Sequence, residues 1–276
     1  MKSLMLGLLA ETPVHPGAGR SLGVVDLPVA REEATGYPVI VGSSLKGSLR
    51  EKAEEAEGHE AESVMRGFGR QEHAGDVLVS DARLLLLPVR SLDRAARFVT
   101  CPQLVERYHR DLIRAGIGPV PDVPKVEPGQ ALADAGSTNR DGHIFLEERM
   151  FTVREEPVDE LVETILPLVR HDVVHQRLKK SLIVVHDDDF AWFARYGLQV
   201  QARNQLEDDT KRSNNLWYEE TLPPDTLMYA LLLGRKDDSL AMVRQLFERD
   251  CYLQAGGNAT VGQGWFAVAV RQGGAQ

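Results

Sequence analysis

The chain has 276 residues, 32 of them Lys or Arg and 41 Asp or Glu, which gives a formal net charge of −9 with histidine neutral. That balance excludes a polybasic, generally sticky nucleic-acid binder, and 43% hydrophobic with 26% charged residues excludes a disordered or fibrous chain. The longest apolar runs, at residues 84–89 and 227–233, fall far short of the roughly 18 residues that cross a bilayer, so no membrane span is expected.

Residues 2–14 are mostly apolar, lack a small-residue cleavage site, and predict a first strand rather than a signal peptide. HPGAGRSLG follows as a loop, then a short extended piece at 24–29 with one acid, Asp26. In VGSSLKGSLREKAEEAE, Ser43 or Ser44 is placed to cap a helix whose Leu45, Leu49 and Ala53 recur at three-to-four spacing. Its glutamate-rich continuation reads as a solvated face. Residues 76–87 predict a strand partly buried on both faces, and 102–114 a helix. The segment 116–142 is rich in Pro, Gly, Ala and Asp without period, and is expected to be an insertion or mobile loop.

Beyond it, 143–153 predicts a strand, 158–171 a helix with a defect at Pro167, and 180–185 a strand. DDDFAWFARYG predicts a short helix with an acidic first turn. Residues 197–220 alternate, turn through Asp208 and Asp209, and alternate again, which predicts a projecting hairpin. A strand at 226–233, a helix at 238–249 and a last strand at 265–270 complete the series. Strands and helices mix without strict alternation, so an α+β fold in one decorated domain, 1–276, is expected. Cys101 and Cys251 are the only cysteines, which leaves no disulfide framework and makes a reducing cytoplasm the expected compartment.

Several residue groups carry candidate chemistry. His171 and His175 stand four apart, a metal-ligand spacing on a helix, but Asp172 stands where a metalloprotease has Glu and no third ligand is evident. His186 with Asp187, Asp188 and Asp189 reads as helix capping before cation binding. Arg170, Arg177, Lys179 and Lys180 form a basic cluster that either meets phosphates or balances nearby acids. GGNATVGQG, with Gly256, Gly257, Gly262 and Gly264, suits close phosphate approach or tight-turn packing, and spacing leaves both open. Asp26 is equally divided between a turn acid and the carboxylate of a phosphoryl-transfer site.

Four blocks taken together, HPGAGRSLGVVDLPVARE, TGYPVIVGSSLKGSLR, NNLWYEETLPPDTL and GGNATVGQGW, resemble the signature blocks of the RAMP superfamily. More narrowly, they are similar to those of the repeated backbone nuclease subunits of type III-B CRISPR effectors, the Cmr complexes. The resemblance implies a ferredoxin-like, RRM-like core with inserted lobes around 116–142 and a projecting β-hairpin thumb around 197–220. It implies an endoribonuclease that binds guide CRISPR RNA, stacks with copies of itself in a helical filament beside other Cmr subunits, and cuts complementary single-stranded target RNA at regular intervals. Asp26 would be catalytic, with His15 and Glu219 as secondary candidates and Thr221 where relatives carry an aromatic residue. Ser43, Ser44, Lys46 and Arg50 would bind the guide at a helix start, with Arg20 and the four glycines completing the RNA surface. Arg203, Leu206, Lys211 and Arg212 would act from the thumb. A lone carboxylate is a modest base at a pKa of about 4, so either a raised pKa of Asp26 or a divalent cation such as Mg²⁺ held by it is expected to make up the difference. The alternatives are a non-catalytic guide-binding backbone subunit and a guide-processing RAMP endoribonuclease using His15.

Overall fold

Every residue of the first strand, β1 (Ser3–Ala10), is buried, so the strand must present apolar groups on both faces of its sheet. In this computed structural model, which describes residues 2–134, 142–236 and 238–274, two cores form accordingly. Leu4, Leu6 and Leu8 join the larger one, while Met5 and Leu9 join the other. Strand alternation alone divides them.

The remaining elements follow in chain order. β2 (Val39–Ile40) precedes α1 (Gly42–Glu57) and α2 (Glu62–Phe68), then β3 (Gly69–Arg70), β4 (His73–Ala74), β5 (Val77–Val79), β6 (Ala82–Val89) and β7 (Arg97–Thr100). After α3 (Pro102–Arg114) come β8 (Gln130–Ala133), β9 (His143–Leu146), β10 (Arg149–Glu155), α4 (Asp159–Ile165), α5 (Asp172–Ser181), β11 (Leu182–Val185) and α6 (Asp187–Tyr196). β12 (Gln199–Leu206), β13 (Ser213–Thr221), β14 (Leu227–Gly234), α7 (Ala241–Arg249), β15 (Tyr252–Gln254) and β16 (Trp265–Gln272) complete the chain.

The fold is α+β around a large mixed sheet ordered β15-β16-β1-β14-β6-β7-β11-β8-β10-β9. β1 lies between β14 and β16, antiparallel to both. Leu45, Leu49 and Ala53 of α1 and Val243, Leu246 and Phe247 of α7 pack on the larger core, and Leu104 of α3 reaches it too. Val105, Tyr108 and Leu112 of α3 pack with α4 and α5 on the opposite core. β12 and β13 form a separate two-stranded sheet. Their register runs from Gln199 opposite Thr221 to Leu206 opposite Ser213, with an irregularity at its end.

Several expectations need correction. Neither Ser43 nor Ser44 caps α1: Val41 is its N-cap residue and makes no side-chain cap, and the Gly42 N–H donates to Asp81 Oδ1 (2.7 Å). Residues 22–26 are bends rather than an extended piece, with isolated bridges only from Leu27 onward. The segment 116–142 contains a strand, β8, paired with β10 and β11; QALA is too short to show a period, and residues 135–141 of that segment lie outside the described residues. The single strands expected at 76–87 and 143–153 are each two. Between the second pair, Glu147 turns the chain with a left-handed φ of 50°. Pro167 sits in a 3-10 turn, Leu166–Leu168, that ends the α4 helix.

That 3-10 turn presses directly on β1. A Cβ built on Gly7 would lie 2.0 Å from the Leu168 carbonyl oxygen, backbone against backbone. Gly7→Ala is therefore expected to cost about 1–3 kcal/mol by overpacking, read as a lower midpoint in urea or heat. An unchanged midpoint would refute the contact.

A second tie joins the 32–38 turn to α3, where Arg107 clasps Glu32 with both terminal nitrogens (2.7 and 2.5 Å). Burial pushes the Glu32 carboxyl up, but hydrogen bonds from Arg107 and Thr35 outweigh it and hold the group below the ordinary carboxylate range. A depressed native pKa stabilises the fold above the unfolded value, and that stability is lost as pH falls through the folded one. Arg107→Met should lower stability at neutral pH and flatten its fall in acid, below about pH 4.5, as measured by urea melts across pH.

Candidate active site and nucleic-acid interface

β13 offers one edge to β12, and its other edge is met by the loop that carries Asp26. Leu27 bridges Glu219 in parallel sense: the Leu27 N–H donates to the Tyr218 carbonyl (3.0 Å) and the Glu220 N–H donates to the Leu27 carbonyl (3.0 Å). One rung earlier, the Tyr218 N–H donates to Asp26 Oδ2 (2.8 Å). The carboxylate is thus held half-buried against the strand, and its Oδ1 has no protein partner among the described residues. Asp26, Arg20 and Glu219 line one cleft of about 330 Å³, together with Trp217, Asn215, Gln205 and Asn258. The structure therefore brings together the two acids and one of the arginines singled out in the sequence.

His15 lies outside the lining of that cleft. It is 7% exposed, and its Nδ1 is 2.8 Å from the Glu220 carbonyl and 4.0 Å from Glu219 Oε1. A carbonyl oxygen only accepts, so Nδ1 is the donor in the contact with Glu220. Glu219 is 2% exposed and accepts a hydrogen bond from Asn258 Nδ2, which also donates to Gln263 Oε1 (2.9 Å). Asn258 adopts a left-handed φ of 64° inside the glycine-rich loop. The Gly257 N–H donates to the His15 carbonyl (2.8 Å), and a Cβ on Gly256 would lie 2.8 Å from that same oxygen. Gly264, buried at φ +83°, has no room for a side chain either, whereas Gly262 at φ +80° borders open space. Gly256, Gly257 and Gly264 thus pack the loop against the 13–15 segment and the chain beside it. Gly256, Gly257 and Gly262 are exposed, and of these Gly262 alone has open space where a Cβ would stand.

Lys46 and Arg50 belong to a different surface. They line a groove of about 500 Å³ between α1 and the β3–β4 turn, with Arg70, His73 and Arg235. Ser43 and Ser44 are exposed at the start of α1, but Asp81 already occupies the first free N–H there. On the β12–β13 hairpin, Arg203 stands opposite Trp217 in register, Leu206 is 48% exposed, and Lys211 and Arg212 are exposed at the tip.

Cation pairing varies over the surface, and within the groove Arg50 is itself paired with Glu54 (2.7 Å). Arg31, Arg66, Arg83, Arg107, Arg149, Arg177, Lys179 and Arg249 each clasp a carboxylate within 2.9 Å. Among the described residues, Arg20, Lys46, Arg70, Arg203, Lys211, Arg212 and Arg235 have no side-chain hydrogen bond or ion pair. Arg70, His73, Arg235, Asn258 and Trp217 were not legible as site residues. Only the pairing of Asn258 with an adjacent glycine doublet gave a signal, since Asn tolerates a left-handed turn.

The other candidates resolve as structural. His171 precedes α5 and its Nε2 meets Glu11 Oε1 (2.9 Å), while His175 Nε2 meets the Val169 carbonyl (2.7 Å), so the pair does not converge. His186 caps α6 through Nδ1, which accepts from the Asp188 N–H. Of the basic cluster, Lys179 and Arg177 pair with Glu163 and Asp225, whereas Arg170 and Lys180 have no side-chain partner among the described residues. Burial pushes the Cys101 thiol far above its ordinary range, leaving it un-ionised. Among the described residues, no group of three or more His, Cys, Asp or Glu side chains is placed to hold a metal ion.

The chain is similar along its length to known proteins. Residues 8–267 match the family model described as the RAMP superfamily. The chain is 34% identical, over 99% of its length and 97% of the relative's, to the CRISPR system Cmr endoribonuclease Cmr4 of Pyrococcus furiosus. The crystal structure of oligomeric Cmr4 from the same organism superposes with a TM-score of 0.81 at 30% identity, covering 100% of both chains. A chain of the type III-B Cmr-beta complex bound to cognate target RNA shares the fold, with a TM-score of 0.77 at 20% identity over 97% of this chain and 96% of its own. The chain belongs to the RAMP superfamily, in the family of the Cmr4 subunits.

Proposed function

We propose that the protein is a repeated backbone subunit of a type III-B CRISPR ribonucleoprotein, which holds guide RNA and cuts complementary target RNA in the cleft lined by Asp26. The observation that carries this reading is the juxtaposition of Asp26, Glu219 and unpaired Arg20 in one cleft alongside the β12–β13 hairpin. The strand order β16-β1-β14-β6, with α1 and α7 as crossovers, supports a ferredoxin-like core. The β12–β13 hairpin, with its exposed Leu206 and unpaired basic tip, supports a thumb that wedges into a guide–target duplex.

Such a protein needs sequence-neutral contacts, because base pairing selects the target. The groove of Lys46, Arg50, Arg70, His73 and Arg235 supplies them. In the cleft, a splayed nucleotide presents its 2′-OH in line with the adjacent phosphorus. Asp26 Oδ1 takes the hydroxyl proton, the 2′-oxygen bonds to phosphorus, and the 5′-oxygen leaves with a proton from water, giving a 2′,3′-cyclic phosphate and a 5′-hydroxyl. Arg20 lies where it balances charge gathering on the phosphate. The donor set fits a Mg²⁺ ion: two carboxylates, Asp26 and Glu219, share the cleft, and this cation commonly binds one or two carboxylates while substrate phosphates and water complete its shell. When bound, it would neutralise phosphate charge. Burial of His15 counts against a guide-processing enzyme built on that imidazole.

The bond from Tyr218 N–H to Asp26 also gives the carboxylate a structural task, so the non-catalytic backbone reading remains the alternative. The reconstituted complex with Asp26→Asn separates them. Cutting of a guide-complementary RNA should vanish while assembly and target binding persist, and a 2′-deoxy substitution at the cut nucleotide should block the native complex. Cutting by the variant at the same positions would eliminate Asp26 as the base. For the groove, Lys46→Ala and Arg70→Ala should weaken guide binding alike for all sequences, each lowering the salt dependence by about one phosphate contact. A sequence-selective loss would contradict backbone binding.

A further inference from the structure

The Asp26 loop lies along β13 as a short parallel edge, and its hydrogen-bond ladder has one irregular rung. After the rungs at Asp26 and Leu27, the next parallel rung would run from the Val29 N–H to the Glu220 carbonyl. That carbonyl is already taken by His15 Nδ1 (2.8 Å). The Val29 N–H instead donates to the Glu220 side chain, at Oε2 (3.0 Å). The other carboxylate oxygen receives Arg31 Nη2 (2.6 Å), and Arg31 Nη1 donates to the Gly36 and Ala194 carbonyls (2.8 and 2.7 Å). Glu220 is 6% exposed, so this junction is closed to water.

We infer that Glu220, locked by Arg31, is a positioning residue that sets the reach of the Asp26 carboxylate and the orientation of His15 from a single point on β13. Its backbone carbonyl holds His15, its backbone N–H holds Leu27, and its carboxylate holds Val29 and Arg31. Neighbouring Glu219 lines the cleft, whereas Glu220 is absent from its lining. The two adjacent glutamates therefore divide the work: Glu219 faces the substrate side and Glu220 fixes the loop that brings Asp26 there. Residues 22–26 have no regular structure, and Leu22 and Val24 are almost fully exposed. The ladder along β13 holds Asp26 in register, together with backbone bonds from Ser21 N–H to the Asp26 carbonyl (2.8 Å) and from Ala18 N–H to the Pro28 carbonyl (3.1 Å).

This inference rests on the reading of Asp26 as the base, and the test separates the two. Single-turnover cleavage and target affinity would be measured on the reconstituted ribonucleoprotein carrying Asp26→Asn, Glu220→Ala, Glu220→Gln or Arg31→Met. Glu220→Ala should lower the saturated cleavage rate by roughly 100-fold, the scale of a misplaced reacting group, with target affinity and assembly unchanged. Glu220→Gln should recover much of that rate, because an amide oxygen still accepts the Val29 N–H. Arg31→Met should fall between them, and these two variants decide the matter if Glu220→Ala does not assemble. Wild-type rates in the Glu220 and Arg31 variants beside an inactive Asp26→Asn would overturn this inference alone. So would a loss of affinity and assembly in proportion to rate. Normal cutting by Asp26→Asn would overturn both readings.

Discussion

A strand with one unpaired edge exposes backbone donors and acceptors that must find partners. In this molecule the second edge of β13 is that demand, and the Asp26 loop is the answer to it. The loop has too few apolar contacts to fold by itself, with residues 22–24 exposed. Ladder bonds to a strand therefore fix a carboxylate whose own segment is irregular. The glycine-rich loop closes the arrangement from behind, since only residues without a Cβ leave room for the His15 carbonyl and ring. Loop, strand and turn come from residues 15–29, 213–221 and 256–264, three parts of the chain that meet only because the large sheet brings its ends together.

The acidic balance takes its meaning from how the charges are placed. An isolated exposed ion pair contributes little to stability, but each pair silences a cation that would otherwise attract polyanions. Most arginines of this surface are silenced in that way; unpaired ones line the α1 groove, the Asp26 cleft and the hairpin, and Arg170 and Arg195 stand unpaired elsewhere among the described residues. Under the proposed function, a net charge of −9 disfavours unspecific RNA binding, and the free cations of the groove and the cleft offset it locally.

Much of the architecture was legible because periodicity and capping are local. The helix at 102–114 and the hairpin near 197–220 carry strong patterns, and both stand where those patterns place them. Failures occur where tertiary contacts override local signals. Asp81, 39 residues away from Gly42, satisfies the α1 N-terminus in place of Ser43 or Ser44. β8 exists only because β10 and β11 flank it. In the site, Glu219 and Glu220 are adjacent and chemically identical, so spacing alone does not say which one faces the cleft; the family resemblance points to Glu219, which lines it. Arg70 and Arg235 are 165 positions apart, so no spacing rule could join them to Lys46.

The hairpin of β12 and β13 forms its own two-stranded sheet, with no ladder to the large one. Its tip, at Glu207 to Arg212, is held by bonds within the turn alone. Residue pairs can therefore be added or removed there without disturbing either core, each added residue per strand extending the arm by about 3.4 Å. The Asp26 cleft runs along the arm from Glu219 near its root to Gln205 and Asn215 near its turn, so pairs added beyond them would lengthen the arm without entering the cleft.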